Sequence, residues 1–155
     1  MRRSTPFAPS ARRAMRVVLD TNVVISALLW GGTPDRLIQA AIDGEIELAT
    51  SPSLLAELRA VLKRPHFASR LAARRSSVEE AITYYARLAI QVSPLATPRV
   101  VEADPADDQV IAAALAAAAD LVVSGDADLR SVGIYQGISI VSPAQAAAQI
   151  DAGAR

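Results

Sequence analysis

The chain has 155 residues, 52% of them apolar and 21% charged, and its 16 basic and 16 acidic residues cancel. It has no cysteine and a single histidine, His66, which excludes a disulfide framework, a thiolate metal centre, a cysteine nucleophile and a multi-histidine zinc site. No apolar run reaches the ~20 residues needed to span a bilayer, and a chain of this size buries about 68–70% of its unfolded surface, so the composition predicts a soluble, intracellular (cytoplasmic) domain with a real core and no membrane partner.

Residues 1–14 hold four arginines, two prolines and no acid, and they show no period. They are expected to be a disordered basic extension ahead of one domain over residues 15–150. A basic arm on a phosphate backbone is the functional alternative. Val17-Val18-Leu19 is a short apolar run ending at Asp20 and reads as a buried strand. Thr21 and Asn22 are expected to cap a helix through Leu29, which Gly31-Gly32 stops. Thr33-Pro34-Asp35 opens the next helix, to about Asp43, and Gly44 ends it. Ile46 to Ala49 is a second strand. Ser51-Pro52 starts a helix through Lys63, and Pro65 is expected to close it. Residues 66–89 read as one or two helices, the later from Ser76, followed by a strand at Ile90-Gln91-Val92. Asp104-Pro105 opens a helix to about Ala119. Leu121-Val122-Val123 and Ile138 to Val141 are the fourth and fifth strands, and Ser142-Pro143 begins a final alanine-rich helix. Short apolar strands alternating with helices predict a parallel sheet covered on both faces.

In such a sheet, ligands bind outside the carboxyl ends of the strands. Asp20 ends the first strand, and Asp126 follows the fourth in Ser124-Gly125-Asp126. Either alone has an ordinary use as a helix cap. Glu57 lies three residues after Leu54 and one turn before Val61, at the border of the apolar face made by Leu54, Leu55, Leu58, Val61 and Leu62. A carboxylate there is costly unless it meets a cation, either an arginine or a metal. With Pro105 at the first helical position, Asp104 is expected to be the cap and Asp107 its reciprocal partner, both suited to the positive end of the helix dipole. Asp108 is left without a capping duty and lies one turn before Ile111, toward the core. Four carboxylates at one crevice repel one another, share protons or bind a cation. Oxygen ligands without histidine or cysteine select Mg2+ or Mn2+. Such ions clamp the attacking and leaving oxygens of a phosphodiester, so metal-dependent phosphoryl transfer to water is the predicted chemistry.

These residues resemble a known family. Val17-Val18-Leu19-Asp20-Thr21-Asn22 looks like the opening of PIN-domain nucleases. Leu54-Leu55-Ala56-Glu57-Leu58, continuing to Lys63-Arg64-Pro65-His66-Phe67, is similar to their second acidic motif. Asp104-Pro105-Ala106-Asp107-Asp108-Gln109-Val110-Ile111-Ala112 and Ala119 to Leu129, with Ser124-Gly125-Asp126-Ala127-Asp128, resemble the third and fourth. The likeness runs from residue 16 to about 145, and within the family it is closest to the VapC-like toxins of toxin–antitoxin pairs. It implies a three-layer α/β/α sandwich with a five-stranded parallel sheet, RNA as substrate, a homodimer and an antitoxin partner. Carried over by motif, Asp20, Glu57, Asp108 and Asp126 are the catalytic, metal-binding acids. Asn22 and Ser124 orient ligands, with Ser124 standing where threonine is common. Asp128 is an outer acid or, preferably, the cap of the Ala127–Val132 turn.

A negative crevice must still attract a polyanion. Arg59, Lys63, Arg64, Arg70, Arg74 and Arg75 form the densest basic stretch, and Arg59, Lys63 and Arg64 are the expected RNA contacts; a solvated helix face is the alternative. Trp30 and Tyr84-Tyr85 are the base-stacking candidates, although Trp30 and at least one tyrosine are expected in the core or at a dimer contact. His66 is expected to be structural. A receiver-like phosphoacceptor fails for want of a late-strand lysine, because Lys63 is the only lysine. A dehalogenase-like phosphatase fails because Asn22 stands where it needs an aspartate, and a nucleotide triphosphatase fails for lack of a phosphate-loop lysine. A catalytically silent module that binds RNA or a protein is the remaining alternative.

Overall fold

The computed structural model describes residues 14–101 and 105–153. The leader at 1–13 and the cap expected at Asp104 lie outside the described residues. In chain order the elements are β1 (Met15–Leu19), α1 (Thr21–Leu29), α2 (Thr33–Ile42), β2 (Ile46–Thr50), α3 (Pro52–Leu62), α4 (Pro65–Ala73), α5 (Val78–Leu88), β3 (Ile90–Gln91), α6 (Pro105–Ala117), β4 (Leu121–Val123), α7 (Ala127–Arg130), β5 (Ile134–Tyr135), β6 (Ile138–Val141) and α8 (Pro143–Gly153).

Strand side chains alternate between two cores. Val17 and Leu19 of β1 and Leu121 and Val123 of β4 join a core with α1, α2, α5 and α8. Val18 and Val122 point the other way, into a core with Val110, Ala113, Ala114 and Ala117 of α6 and Leu129 of α7. The result is the expected three-layer α/β/α sandwich. The alanine face of α6 lets that helix lie close to the sheet. No helix among the described residues is long and apolar enough to cross a membrane.

The sheet order is β3-β2-β1-β4-β6-β5. The first five are parallel, as predicted, and β5 adds an antiparallel edge. That sixth strand was not foreseen. Gln136 and Gly137 both have positive φ, 48° and 84°, which makes the tight two-residue turn that joins β5 to β6. Two helix boundaries also differ. The α1 cap is Asp20 rather than Thr21 or Asn22. Pro65 opens α4 instead of closing α3, because its fixed φ suits a first helical turn.

Strand β1 sits between β2 and β4, so the chain turns one way to β2 and β3 and later returns on the other side. The carboxyl ends of β1 and β4 therefore flank a topological switch point, the place where open parallel sheets leave a crevice.

Candidate active site

Asp20 and Ser124 follow directly on β1 and β4. The Asp20 amide donates to the Val123 carbonyl at 2.9 Å, carrying the ladder one residue past the strands. Both side chains are buried, and Ser124 Oγ donates to Asp20 Oδ2 at 2.7 Å. The same Oγ accepts from the Asp126 amide at 2.9 Å. On the other side of Asp20, the Thr21 amide donates to Oδ1 at 2.8 Å. The Thr21 hydroxyl then donates to Glu57 Oε1 at 3.0 Å. Thr21 thus joins Asp20 to Glu57 through its amide and hydroxyl, and Ser124 joins the Asp20 carboxylate to the Asp126 backbone, although the three acids lie on separate motifs. Glu57 is half-buried at the edge of the apolar face of α3, as its spacing predicted.

Asp126 Oδ1 accepts from the Asp128 amide at 2.8 Å. That two-residue reach is an Asx turn, and it makes Asp126 the cap of α7. The cap role expected of Asp128 therefore belongs to Asp126, and the Asp128 side chain is exposed. Asn22 is exposed on the first turn of α1.

Asp108 is 2% exposed and its Oδ1 accepts two backbone amides, from Val100 at 2.9 Å and Val101 at 2.7 Å. It clasps the irregular segment after β3 onto the head of α6. Asp107, expected as a capping partner, is also buried and shares a helix strip with Val110 and Ala114. Sequence periodicity placed Asp108 inward but gave no sign of the amides that meet it, and the burial of Asp107 was not foreseen.

The donor chemistry fits a hard divalent ion, since every candidate ligand is a carboxylate oxygen. Among the described residues, however, no three acidic or histidine side chains are gathered into a group that could hold a metal. Thr21 stands between Asp20 and Glu57, and Ser124 between Asp20 and the Asp126 backbone.

The basic stretch divides. Arg59 donates to both carboxylate oxygens of Glu79 at 3.1 Å. That hydrogen-bonded guanidinium, opposed by desolvation, leaves the Glu79 carboxyl below its usual range. Arg70 of α4 and Arg74, the residue that caps its carboxyl end, donate to the carbonyl of Leu29, closing the carboxyl end of α1. Lys63 and Arg64 are exposed. Trp30 is 52% exposed rather than in the core, lying under the Arg70 guanidinium and edge-on to Phe67. Tyr85 is in the core and Tyr84 is exposed. His66 packs on Phe67 at the start of α4, a structural place as expected.

No curated protein matches the chain. A family model for the PIN domain matches residues 16–128, 113 of the 155 residues, and that span includes Asp20, Glu57, Asp108, Ser124 and Asp126. The three-layer fold agrees with it, and the chain belongs to the PIN domain family, whose members are typically nucleases.

Proposed function

We propose that the protein is an endoribonuclease dependent on Mg2+ or Mn2+ that hydrolyses RNA phosphodiester bonds, and that it is the toxin of a toxin–antitoxin pair. The observation that carries this reading is the hydrogen-bonded run at the sheet's switch point, in which Thr21 links Asp20 to Glu57 and Ser124 links the Asp20 carboxylate to the Asp126 backbone. Asp20, Glu57, Asp108 and Asp126 would hold the ion, with Asp108 using Oδ2 because Oδ1 serves the Val100 and Val101 amides. A divalent ion bound there supplies a more acidic water and neutralises charge at the scissile phosphate. Ser124 keeps Asp20 turned toward the crevice. Asn22, exposed one residue beyond Thr21, offers an amide to a phosphate oxygen. Lys63 and Arg64 contact the RNA backbone, whereas Arg59 contributes less than its position suggested because Glu79 occupies it. Asp128 is an outer acid at the rim. The active form is a homodimer, and an antitoxin covers the crevice.

A second reading is a silent module that binds RNA without cutting it. The engaged oxygens of Asp20 and the lack of a gathered acid cluster among the described residues favour it. Cleavage of a mixed RNA pool by wild type and Asp20→Asn, with Mg2+, Mn2+ or a chelator, separates the two. The nuclease reading expects cutting only with metal, and a loss of at least about 100-fold in the variant. Retention of RNA with no cutting by wild type would establish the silent module. Light scattering tests the homodimer, and co-purification with the product of the adjacent reading frame tests the antitoxin.

A further inference from the structure

Helix α1 ends at an aromatic ring that is held in place and still exposed. Gly31 and Gly32 both take left-handed backbone, φ 74° and 75°, and the amides of Trp30 and Gly31 close onto the Ser26 carbonyl at 2.9 and 3.1 Å. The glycine pair stops the helix, so Trp30 caps it. Arg70 lies 4.9 Å from the ring centre, and Phe67 meets the ring edge-on at 5.7 Å. Even so, 52% of the residue meets solvent. We propose that Trp30 is a stacking platform for an unpaired base of single-stranded RNA, whose phosphates lie on the exposed cations around α4. The choice of RNA rests on the proposed function; the platform itself rests on the ring and the charges around it.

A lone exposed tryptophan signifies little. The charge pattern beside it narrows the partner. No acid occurs between Asp20 and Asp35, or between Glu57 and Glu79, so α1 and α4 carry none. Lys63, Arg64, Arg70, Arg74 and Arg75 are all exposed, and none forms a salt bridge among the described residues. Of the acids at the start of α5, Glu79 is taken by Arg59, and Glu80 lines a cleft with Arg74 and Arg75. Arg70 spends Nε on the Leu29 carbonyl at 2.8 Å; a guanidinium has five N–H donors, so its terminal fork is left for a phosphate. A ring among such cations suits a single strand: every base has a face to stack, and the cations follow the backbone without reading sequence. A protein laid over the ring would desolvate the same cations, at a cost unless it brought acids to match. The platform also connects to the crevice. Asn22, Ser26 and Trp30 are spaced by four, share one face of α1 and reach solvent. They lead from beside Asp20 to the ring over about 12 Å.

The test uses the full chain with a chelator present, so that nothing is cut. Trp30 is the single tryptophan, so its emission reports stacking directly. A short single-stranded RNA of mixed sequence is expected to quench it. The same RNA as a duplex, and an abasic strand with the same phosphates, should quench far less. Trp30→Ala should weaken binding of the single strand by about 5–150-fold, the range for one lost stack, and leave affinity for the abasic strand unchanged. Trp30→Phe should keep most of the affinity, and urea midpoints should show both variants folded. Replacing Lys63 and Arg64 by alanine should weaken both strands and flatten the salt dependence. RNA bound with Trp30 emission unmoved, or bound equally by wild type and Trp30→Ala, overturns the platform, as does a wild type that binds no RNA. Tighter binding of the matching DNA strand overturns RNA as the occupant. Emission that follows protein concentration rather than RNA overturns the platform and marks the ring as a contact between copies. RNA that quenches Trp30 yet is never cut with Mg2+ or Mn2+ keeps the platform and removes the nuclease reading. RNA that is cut with either ion and never moves the Trp30 emission does the reverse.

Discussion

The Ser124 hydroxyl and Asp20 Oδ2 are 2.7 Å apart, and each belongs to the residue just past one of two neighbouring parallel strands. Because Ser124 Oγ also accepts the Asp126 amide, one atom fixes both the direction of Asp20 and the course of the chain into α7. Ser124→Ala removes a hydrogen bond to a charged group and orphans an amide, a cost of about 2–3 kcal/mol. Urea unfolding should show that loss, and under the proposed ribonuclease function RNA cleavage should fall with it. Ser124→Thr retains the hydroxyl and should keep most of the activity. An alanine variant as stable and as active as wild type would contradict this role.

Asp108 has an observed clasp on two amides and a proposed part in holding the metal, and substitution can separate the two. Asp108→Asn keeps an oxygen acceptor for the Val100 and Val101 amides but loses the charge. It should unfold within about 1 kcal/mol of wild type, yet cut RNA poorly. Asp108→Ala leaves two amides without an acceptor and should lose a further ~2–4 kcal/mol. Equal stability of the two variants would show that the clasp contributes nothing.

Tyr85 carries a buried hydroxyl that has no hydrogen-bond partner among the described residues, and burial pushes its phenol well above the usual value. The unfolded chain, with a phenol near pKa 10, releases that proton first. Stability from this group is therefore intact below pH ~10 and falls above it by about 1.4 kcal/mol per pH unit. Tyr85→Phe should be equal to wild type or up to about 1 kcal/mol more stable at pH 7. Its advantage should widen at pH 11, measured by urea midpoints. A Phe variant clearly less stable at both pH values would reveal a missed partner for the hydroxyl.

Arg70 both closes the carboxyl end of α1 and lies 4.9 Å from the centre of the Trp30 ring. Trp30 is the chain's single tryptophan, so its fluorescence reports on this contact. Arg70→Ala should cost about 1–2 kcal/mol, because Arg74 still serves the Leu29 carbonyl. The tryptophan emission should shift at once, before any unfolding. Unchanged emission would mean that the guanidinium does not sit on the ring in solution.

Much of this arrangement is legible in local chemistry. Apolar runs at Val17 to Leu19 and Leu121 to Val123, with proline, serine and glycine between elements, give the alternation of strand and helix. The 3.6-residue period places Glu57 at the edge of the apolar face of α3. What escapes the sequence is whatever depends on a distant or irregular partner. The Val100 and Val101 amides come from a segment without period, so the clasp on Asp108 has no local signature. Strand β5 is two residues long, too short to show alternation, and Gln136-Gly137 is a weaker turn signal than asparagine–glycine. Asp20 reads equally as cap or ligand, which shifted the expected start of α1 by one or two residues. Trp30 was expected in the core or at a dimer contact; its exposed place at the end of α1, under arginine, depends on α4.

Strands β3 and β5, the two margins of the sheet, each contain only two residues. Margins so brief give an approaching chain almost no ladder to extend. Growth of the sheet from copy to copy, the first step toward fibrils, is therefore disfavoured by the architecture itself. Self-association through the sheet margins is thus disfavoured, and amyloid dyes should stay dark in concentrated native samples.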